Sequence, residues 1–489
     1  MRSIIVRTAL VLVLLNALAP LFFPATITLD GPMHVLHASA WLDARDHDQG
    51  IRYHQPFSHL SADELLLAPL VRTLGPFHAH TVMVALVLLV LGLASWRVAQ
   101  KLELMQNAGP LLVLPVLWGW PLLLGFFSFL LGIALALLAW GWWAGLDRPS
   151  LRNAGLLFVW GLGAMYVHRA APLFLILLVV CHELTMLIGG RMGWSARWPR
   201  VPPWLLWAVV IGLSALGGLR IMSLLYENAA FEPSAVRDPS TDLLQLRPLL
   251  LFAKDQEQPY LIVLGALLLI ALVLTTSARG FRDRRIQRAD AALLAALVLI
   301  TASLVLRNPN ADLHYVEERT QWTALLLLVL WTGSAAWSRM TLVVAPVAIG
   351  LHVIRTVHIA KQMAGFHTRQ QALETQAQEL HPGSTVVPVL CDGNWLYLHQ
   401  TAFLATLHDG VVWTPIDHMR FRFAAPATSA MIAYDFKKAK DWSWLEDHLN
   451  AGRSPLVDRI VPVGPDGTCQ ASDTIGMGPA CRLLWSLDK

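Results

Sequence analysis

Long apolar runs dominate the first three quarters of the chain, and short polar segments separate them. A helix that spans a bilayer needs about 20 mostly apolar residues. Runs of about that length, or close to it, lie near 4–24, 79–97, 109–125, 126–146, 153–167, 171–190, 203–225, 258–277, 289–306, 320–337 and 340–358. The pattern therefore predicts a polytopic α-helical membrane protein with about 11 transmembrane helices, over a domain of residues 1–358.

A polar segment at 25–78, rich in acids and histidines, follows the first apolar run. Asp30-Gly31-Pro32 is typical of a helix start, with an acid at the cap and proline in the first turn. Asp30, His34, His37 and Trp41 share the spacing of one helix face. Ser61 and Glu64 have the spacing of a capping box before a leucine run. We expect two short helices at the membrane surface, in a long first extracytoplasmic loop.

The region 359–489 is much less hydrophobic than the rest of the chain. A polar helix is predicted at 361–380, and helical stretches at 394–407 and 441–451. Strand-like runs lie at 385–390, 411–416, 431–436, 459–463 and 482–487. This alternation predicts a small α/β domain at the C-terminus.

Composition agrees with a lipid environment. The chain is 55% hydrophobic and 14% charged, with a mean hydropathy of +0.52, whereas soluble domains carry about 25% charged residues. A soluble protein this apolar could not cover its surface, so we expect the bilayer to be a partner. The 37 Lys and Arg against 33 Asp and Glu give a net charge of only +4, which argues against nucleic-acid binding.

The distribution of Lys and Arg predicts the orientation, because these residues collect on cytoplasmic loops. Counted from a cytoplasmic N-terminus, the inner loops hold the following: Arg2, Arg7, Arg97, Lys101, Arg148, Arg152, Arg191, Arg197, Arg200, Arg279, Arg282, Arg284, Arg285, Arg288 and Arg339. The outer loops are much poorer in these residues. We expect a multi-pass protein of the cell inner membrane, with its C-terminal domain periplasmic or extracytoplasmic.

Two of the four cysteines, Cys469 and Cys481, flank a short glycine-rich turn in this C-terminal region. A disulfide between them would contribute about 3 kcal/mol and would require an oxidising compartment, in agreement with that orientation. Two unlinked thiols are the alternative.

Two stretches, residues 29–34 (LDGPMH) and 125–132 (GFFSFLLG), resemble the first-loop start and a span-four pattern of uncharacterised bacterial GT-C glycosyltransferases. The arrangement of a first span, an acidic outer loop, many spans and an outer C-terminal domain is also similar. The resemblance implies a membrane glycosyltransferase that moves a sugar from a polyprenyl-phosphate donor to a glycan, lipid or protein acceptor. It also implies that Asp30 occupies the position of the catalytic acid of that family.

Several roles are open for the polar residues of the first loop. Asp30 can take a proton from an acceptor hydroxyl, position a divalent metal such as Mg or Mn beside the leaving phosphate, or simply cap its helix. His34 and His37 are candidate metal ligands or phosphate hydrogen-bond donors, or ordinary histidines of an interfacial helix. Asp43 is a candidate second acid, or part of a solvated acidic turn.

A lipid phosphate requires cations near the outer boundary, and arginine suits phosphate because of its planar fork of donors. For Arg319 the alternative is an ion pair with the neighbouring Glu317 or Glu318. The outward-lying candidates are Arg169, Arg220, Arg247, Lys254, Arg307 and Arg319.

His182 and Glu183 lie inside the sixth apolar run, where ionisable groups are costly and often functional. A proton path through them favours a different function, a transporter or flippase of a lipid-linked or small substrate. A hydrogen-bonded pair packed between helices is the structural alternative. A third hypothesis is a scaffold whose C-terminal domain binds a partner.

Overall fold

The structure is a computed structural model of the chain. The residues that it describes are 2–46, 51–53, 61–146, 149–189, 239–252, 254–279, 286–305, 316–337, 340–381, 385–390, 396, 399–407, 411–412, 421–423 and 459–463.

Helices make up most of the described chain. In chain order they are α1 (Arg2–Leu18), α2 (Gly31–Asp46), α3 (Ala62–Leu74), α4 (Pro76–Lys101), α5 (Val113–Leu117), α6 (Trp120–Leu123), α7 (Phe127–Ala144), α8 (Leu151–Val167), α9 (Ala171–Ile188), α10 (Pro239–Leu244), α11 (Lys254–Ala278), α12 (Asp290–Val305), α13 (Val316–Thr332), α14 (Thr341–Glu379) and α15 (Thr401–Leu407). Short 3-10 turns lie at Ala19–Phe22, Gly109–Leu112 and Arg247–Leu249. The strands are β1 (Ile51–Tyr53), β2 (Thr385–Leu390), β3 (Val411–Val412), β4 (Phe421–Phe423) and β5 (Arg459–Val463).

Six of the described helical segments are long and apolar enough to cross a membrane: Ile4–Phe22, Pro76–Lys101, Phe127–Ala144, Ala171–Ile188, Asp255–Ala278 and Thr341–Glu379. Three shorter apolar segments lie at Gly109–Leu123, Leu151–Val167 and Asp290–Leu304. These segments indicate a multi-pass helical protein in a lipid bilayer. The total of 11 spans stays a prediction, and the predicted run at 203–225 lies outside the described residues.

The apolar run at 109–125 is not one continuous helix. It comprises the 3-10 turn Gly109–Leu112, then α5, then α6. Gly119 adopts an extended backbone at the start of α6, and Pro121 occupies the first turn. Proline suits a first turn and lacks the amide that a longer helix would use, so the chain turns at Trp118 and Gly119.

The chain divides into two compact units. The first contains residues 1–19 and 85–359, and the second contains residues 20–84 and 360–489. The second unit thus holds the first loop together with the C-terminal region. The domain boundaries predicted at 25, 78 and 358 stay predictions.

The first unit is built around α7, which is apolar on every side and largely buried. Its aromatic residues Trp140 and Trp143 are fully buried, as is Trp322 of α13. The indole nitrogen of Trp322 donates to the carbonyl of Val116 at 2.9 Å, and a buried indole N–H requires such a partner. These side chains form the packed interior of the first unit.

In the second unit a small aromatic core joins α15 to the start of α4 and to α14. The ring of Phe403, on α15, lies 4.4 Å from the ring of Phe77 and 6.3 Å from the ring of Phe366. All three rings are buried. Aromatic pairs at such distances add about 0.5–1.5 kcal/mol beyond their burial, so this core fixes α15 and the residues just before it.

Strands β2, β3 and β5 form a parallel sheet in the order β3-β2-β5. Strands β2 and β5 have the bounds of two predicted runs, and β3 covers the start of a third. The other two predicted strands and the helix at 441–451 lie outside the described residues. The α/β domain therefore stays a prediction.

A pair of strands that the sequence does not predict joins the first loop to the C-terminal region. Strand β1 pairs with β4 in antiparallel register, with Arg52 opposite Arg422. Both strands belong to the second unit.

Candidate functional site

The first residues of α2 are held by a hydrogen-bonded threonine. The Thr28 hydroxyl accepts the amide N–H of Gly31 at 3.1 Å and lies 3.0 Å from Nε2 of His80. A Cβ at position 31 would overlap both His80 and Thr28. Glycine is therefore required by this close approach, and the approach sets where the preceding Asp30 begins the helix.

Asp30 is partly exposed, with 34% of its side chain accessible. Its carbonyl accepts the amide of His34 at 3.1 Å, the first backbone bond of the helix. The predicted helix start is thus observed, and the carboxylate lies at the solvent-accessible side of a cluster of titratable groups.

The next turns of α2 bring two histidines against the start of α3. Nδ1 of His34 lies 3.3 Å from Oδ2 of Asp63 and 3.7 Å from Oε1 of Glu64. Nδ1 of His37 donates a hydrogen bond of 2.9 Å to the same Glu64 oxygen, because a carboxylate can only accept. Asp63 and Glu64 are almost completely buried.

Glu64 serves two purposes. One oxygen binds His37, and the other accepts the backbone N–H of Ser61 at 3.0 Å. The second bond is the glutamate half of the predicted capping box. The local capping signal therefore also places a buried carboxylate against α2.

The two acids change the charge state of His34. Burial lowers the pKa of this imidazole, but Asp63, Glu64 and Asp30 outweigh burial and raise the pKa from 6.5 to about 9. His34 is consequently an imidazolium at neutral pH, with its charge between Asp63 and the partly exposed Asp30.

A histidine from the C-terminal region completes the cluster. Nε2 of His399 lies 3.6 Å from Oδ1 of Asp30. The residue stands just before α15, where its carbonyl accepts the amide of Ala402 at 3.0 Å. Burial lowers the pKa of His399, as does His34, while Asp30 acts in the opposite direction. A neutral imidazole therefore faces the carboxylate at neutral pH.

The described side chains of this cluster do not suit the binding of a metal ion. Within the described parts of the chain, no group of three or more His, Cys, Asp or Glu side chains is arranged to hold a metal ion. The Mg or Mn requirement stays a prediction, and no chemical step below depends on it.

The candidate phosphate-binding arginines lie in different surroundings. Arg169 is exposed. Arg247 forms an ion pair with Asp242 at 3.2 Å. The guanidinium carbon of Arg319 lies 3.8 Å from the ring centre of Phe126. Positions 220 and 307, and the side chain of Lys254, fall outside the described residues.

His182 and Glu183 are both buried in α9. Glu183 accepts a hydrogen bond of 2.8 Å from the indole nitrogen of Trp143 on α7. This contact belongs to the packing between two neighbouring helices, the structural alternative for the pair.

Other predicted site residues cannot be located in full. Asp43 lies within α2, and its side chain is outside the described part of the structure. Cys469 and Cys481 also lie outside the described residues, so the disulfide stays a prediction.

Three contributors were missed in the sequence. The capping pattern at Ser61 and Glu64 gives Asp63, which lies between them, no role in a site, and nothing local marks His399 as a partner of Asp30. Arg355, described below, carried a signal, because it is a charged residue inside the apolar run 340–358.

Comparison of the whole chain with the known protein families and with the curated proteins found no match to either.

Proposed function

We propose that the protein is a membrane glycosyltransferase of GT-C type with about 11 spans and an extracytoplasmic C-terminal α/β domain. It would transfer a sugar from a polyprenyl phosphate to a glycan, lipid or protein acceptor at the outer face of the cytoplasmic membrane. The observation that carries the proposal is the cluster around Asp30: a partly exposed carboxylate beside an imidazolium, His34, and a neutral imidazole, His399.

The proposed reaction uses Asp30 as general base. Its carboxylate takes the proton of the acceptor hydroxyl while the hydroxyl oxygen forms a bond to the anomeric carbon. The bond between that carbon and the phosphate oxygen breaks, and polyprenyl phosphate leaves with the electron pair. His34, as a cation, stabilises the negative charge that develops on the leaving phosphate.

The cluster supports this reaction because, at neutral pH, it presents an accessible acid, Asp30, beside a cationic His34 and a neutral His399. Asp30 is the accessible acid, whereas Asp63 and Glu64 are buried against the two histidines of α2. Buried acids fix the imidazolium, and Asp30 is the acid of the cluster whose side chain is accessible to a substrate. General bases contribute about 10²- to 10⁴-fold to such reactions.

The test is a transfer assay in proteoliposomes with polyprenyl-phosphate-linked [¹⁴C]glucose, [¹⁴C]mannose and [¹⁴C]arabinose as donors. We expect the protein to consume one donor, and Asp30→Asn to reduce the rate at least about 100-fold without changing membrane insertion. Asp255→Asn, which changes an exposed carboxylate of α11, is the control. Full activity of Asp30→Asn would remove the proposed mechanism.

The burial of His182 and Glu183 in α9 supports one competing function, a transporter or flippase. In that case His182→Gln and Glu183→Gln abolish movement of substrate across the bilayer, and Asp30→Asn does not. The same proteoliposomes, assayed for donor uptake with and without a proton gradient, distinguish the two functions.

A further inference from the structure

The first unit contains a buried arginine whose charge no described carboxylate pairs. Arg355 lies on α14 and is only 2% exposed. Two carbonyls accept hydrogen bonds from its Nη2: Trp118 at 2.5 Å, and Leu249. The Nε and Nη1 atoms are buried and have no hydrogen-bond partner in the described part of the structure. Three of its five N–H groups are thus unused.

The carbonyls that hold Arg355 come from two breaks in regular structure. Trp118 ends α5 at the turn before α6, and Leu249 lies in the 3-10 turn Arg247–Leu249. Both carbonyls are neutral dipoles, so they orient the guanidinium and leave its charge uncompensated. Burying an unpaired charge is among the most costly arrangements in a protein.

Other polar groups lie near the guanidinium. The ring centre of Tyr260, on α11, lies 5.1 Å from the guanidinium carbon. The Tyr260 side chain thus lies against Arg355, and Nδ1 of His352 is buried without a hydrogen-bond partner among the described residues. His352 lies one turn before Arg355 on the same face of α14, and Tyr260 approaches the guanidinium from α11. A hydroxyl, an imidazole and a guanidinium can each donate to an oxyanion.

Glu257, which lies one turn before Tyr260 on α11, has other partners. The carboxylate of Glu257 accepts the backbone amides of Leu251 at 2.8 Å and Phe252 at 2.5 Å. It also lies 3.6 Å from Nε2 of His358. Glu257 thus caps the start of α11 and pairs with a histidine, and it forms no ion pair with Arg355.

We propose that Arg355, Tyr260 and His352 form an anion site that binds a phosphate group. Phosphate suits the arrangement because it offers several acceptor oxygens to a cation and to neutral donors at once. The site stands on the unpaired guanidinium alone and does not depend on the transferase proposed above. It would serve a transferase or a transporter equally.

A phosphate group can be free or carried on a lipid. Val353, Ile354 and Val357, which flank Arg355 on α14, are about half exposed or more. At one or two positions from Arg355 these residues face away from its side chain, so they show an exposed apolar surface on α14 and do not identify the source. The experiment distinguishes a free phosphate from one carried on a lipid.

The test measures binding to the purified full-length protein in detergent, by native mass spectrometry and by thermal unfolding. The probes are dioleoyl phosphatidic acid, dioleoylglycerol, which has the same chains without phosphate, and inorganic phosphate. We expect phosphatidic acid to bind and raise the unfolding midpoint, and dioleoylglycerol to have no effect. Saturation by inorganic phosphate at a similar concentration would instead identify a soluble ligand.

Arg355→Gln is expected to weaken phosphate binding about tenfold or more, because hydrogen bonds to a charged group are the strong ones. Arg279→Gln, which removes a buried arginine of the first unit already paired with Asp290, is the matched control and should bind like the wild type. If Arg355→Gln fails to fold, Tyr260→Phe, which removes only one donor, should weaken binding by a smaller factor. Absence of any phosphate-dependent binding to the wild type, or equal binding by Arg355→Gln, overturns the proposal.

Discussion

The carboxylate of Asp63 lies 3.3 Å from Nδ1 of His34, and Asp63 is fully buried while it holds this contact. The pair makes stability depend on pH in a defined window. A pKa raised from 6.5 to about 9 means that folding favours the protonated imidazole. The stabilisation is complete below pH 6.5 and is lost as the pH rises through about 9.

We predict that the unfolding midpoint of the wild type falls between pH 6.5 and 9.5, and that Asp63→Asn flattens this fall. One pKa unit corresponds to about 1.4 kcal/mol, so the whole effect is of the order of 3 kcal/mol at most. Thermal unfolding in detergent at fixed salt measures it. Asp242→Asn is the control, because it removes a carboxylate that pairs with an arginine and not with a histidine. An equal slope for Asp63→Asn would contradict the assigned charge state.

His399 provides the second prediction, which depends on the proposed reaction. Its neutral ring lies 3.6 Å from Asp30 and acts as a positioning residue for that carboxylate. His399→Ala should lower kcat about tenfold, a fraction of the contribution of a general base, and should leave KM for the donor within about twofold. The exposed His78, changed to alanine, is the control. An unchanged kcat, or a KM effect alone, would argue against this role.

Local signals in the sequence predicted the local parts of this cluster. The helix start at Asp30 and the bond from Glu64 to Ser61 are both present, because capping depends on neighbours in the chain. The partners of those residues were not predicted. His399 reaches Asp30 through the packing of α15, and the second oxygen of Glu64 reaches His37 through the packing of α3 on α2.

The helical part of the chain shows the same limit. Apolar length predicts where helices run but not where they break. The break inside the run 109–125 is marked in the sequence by Trp118-Gly119-Trp120-Pro121, and the structure has its turn at those residues. Arg355 binds the Trp118 carbonyl that this turn leaves without a helical partner. The sequence shows a charged residue, Arg355, inside an apolar run. Its hydrogen bond to the Trp118 carbonyl depends on tertiary packing and cannot be predicted from the sequence.

The close approach at Gly31 gives a third prediction. Gly31→Ala would place a methyl group against the His80 ring and the Thr28 hydroxyl, so His80 or α2 must shift. We expect a lower unfolding midpoint and, on the proposed reaction, lower activity. Gly365→Ala is the matched control, since a Cβ there meets no atom within 4 Å, and alanine in a helix is favoured over glycine by about 1 kcal/mol. A Gly31→Ala protein as stable as Gly365→Ala would show that the approach is looser than described.

Asn107 joins two segments of the first unit and gives the last prediction. Its side-chain nitrogen donates to the carbonyls of Thr332 at 2.7 Å and Ala335 at 2.5 Å, and its oxygen accepts the amide of Gly109 at 2.5 Å. Asn107→Ala leaves these buried backbone groups without that partner, and each such group costs about 1–3 kcal/mol. Asn107→Asp is expected to be at least as harmful, because a carboxylate cannot donate to two carbonyls.

The control for Asn107 is its neighbour Gln106, whose side-chain nitrogen donates to Glu103 in an exposed position. Gln106→Ala should change the unfolding midpoint little, because water replaces an exposed hydrogen bond. Midpoints of the three variants, measured in one detergent at one pH, test the comparison. If Asn107→Ala unfolds at the same temperature as Gln106→Ala, the bonds of Asn107 do not hold the turn before Gly109 to the end of α13.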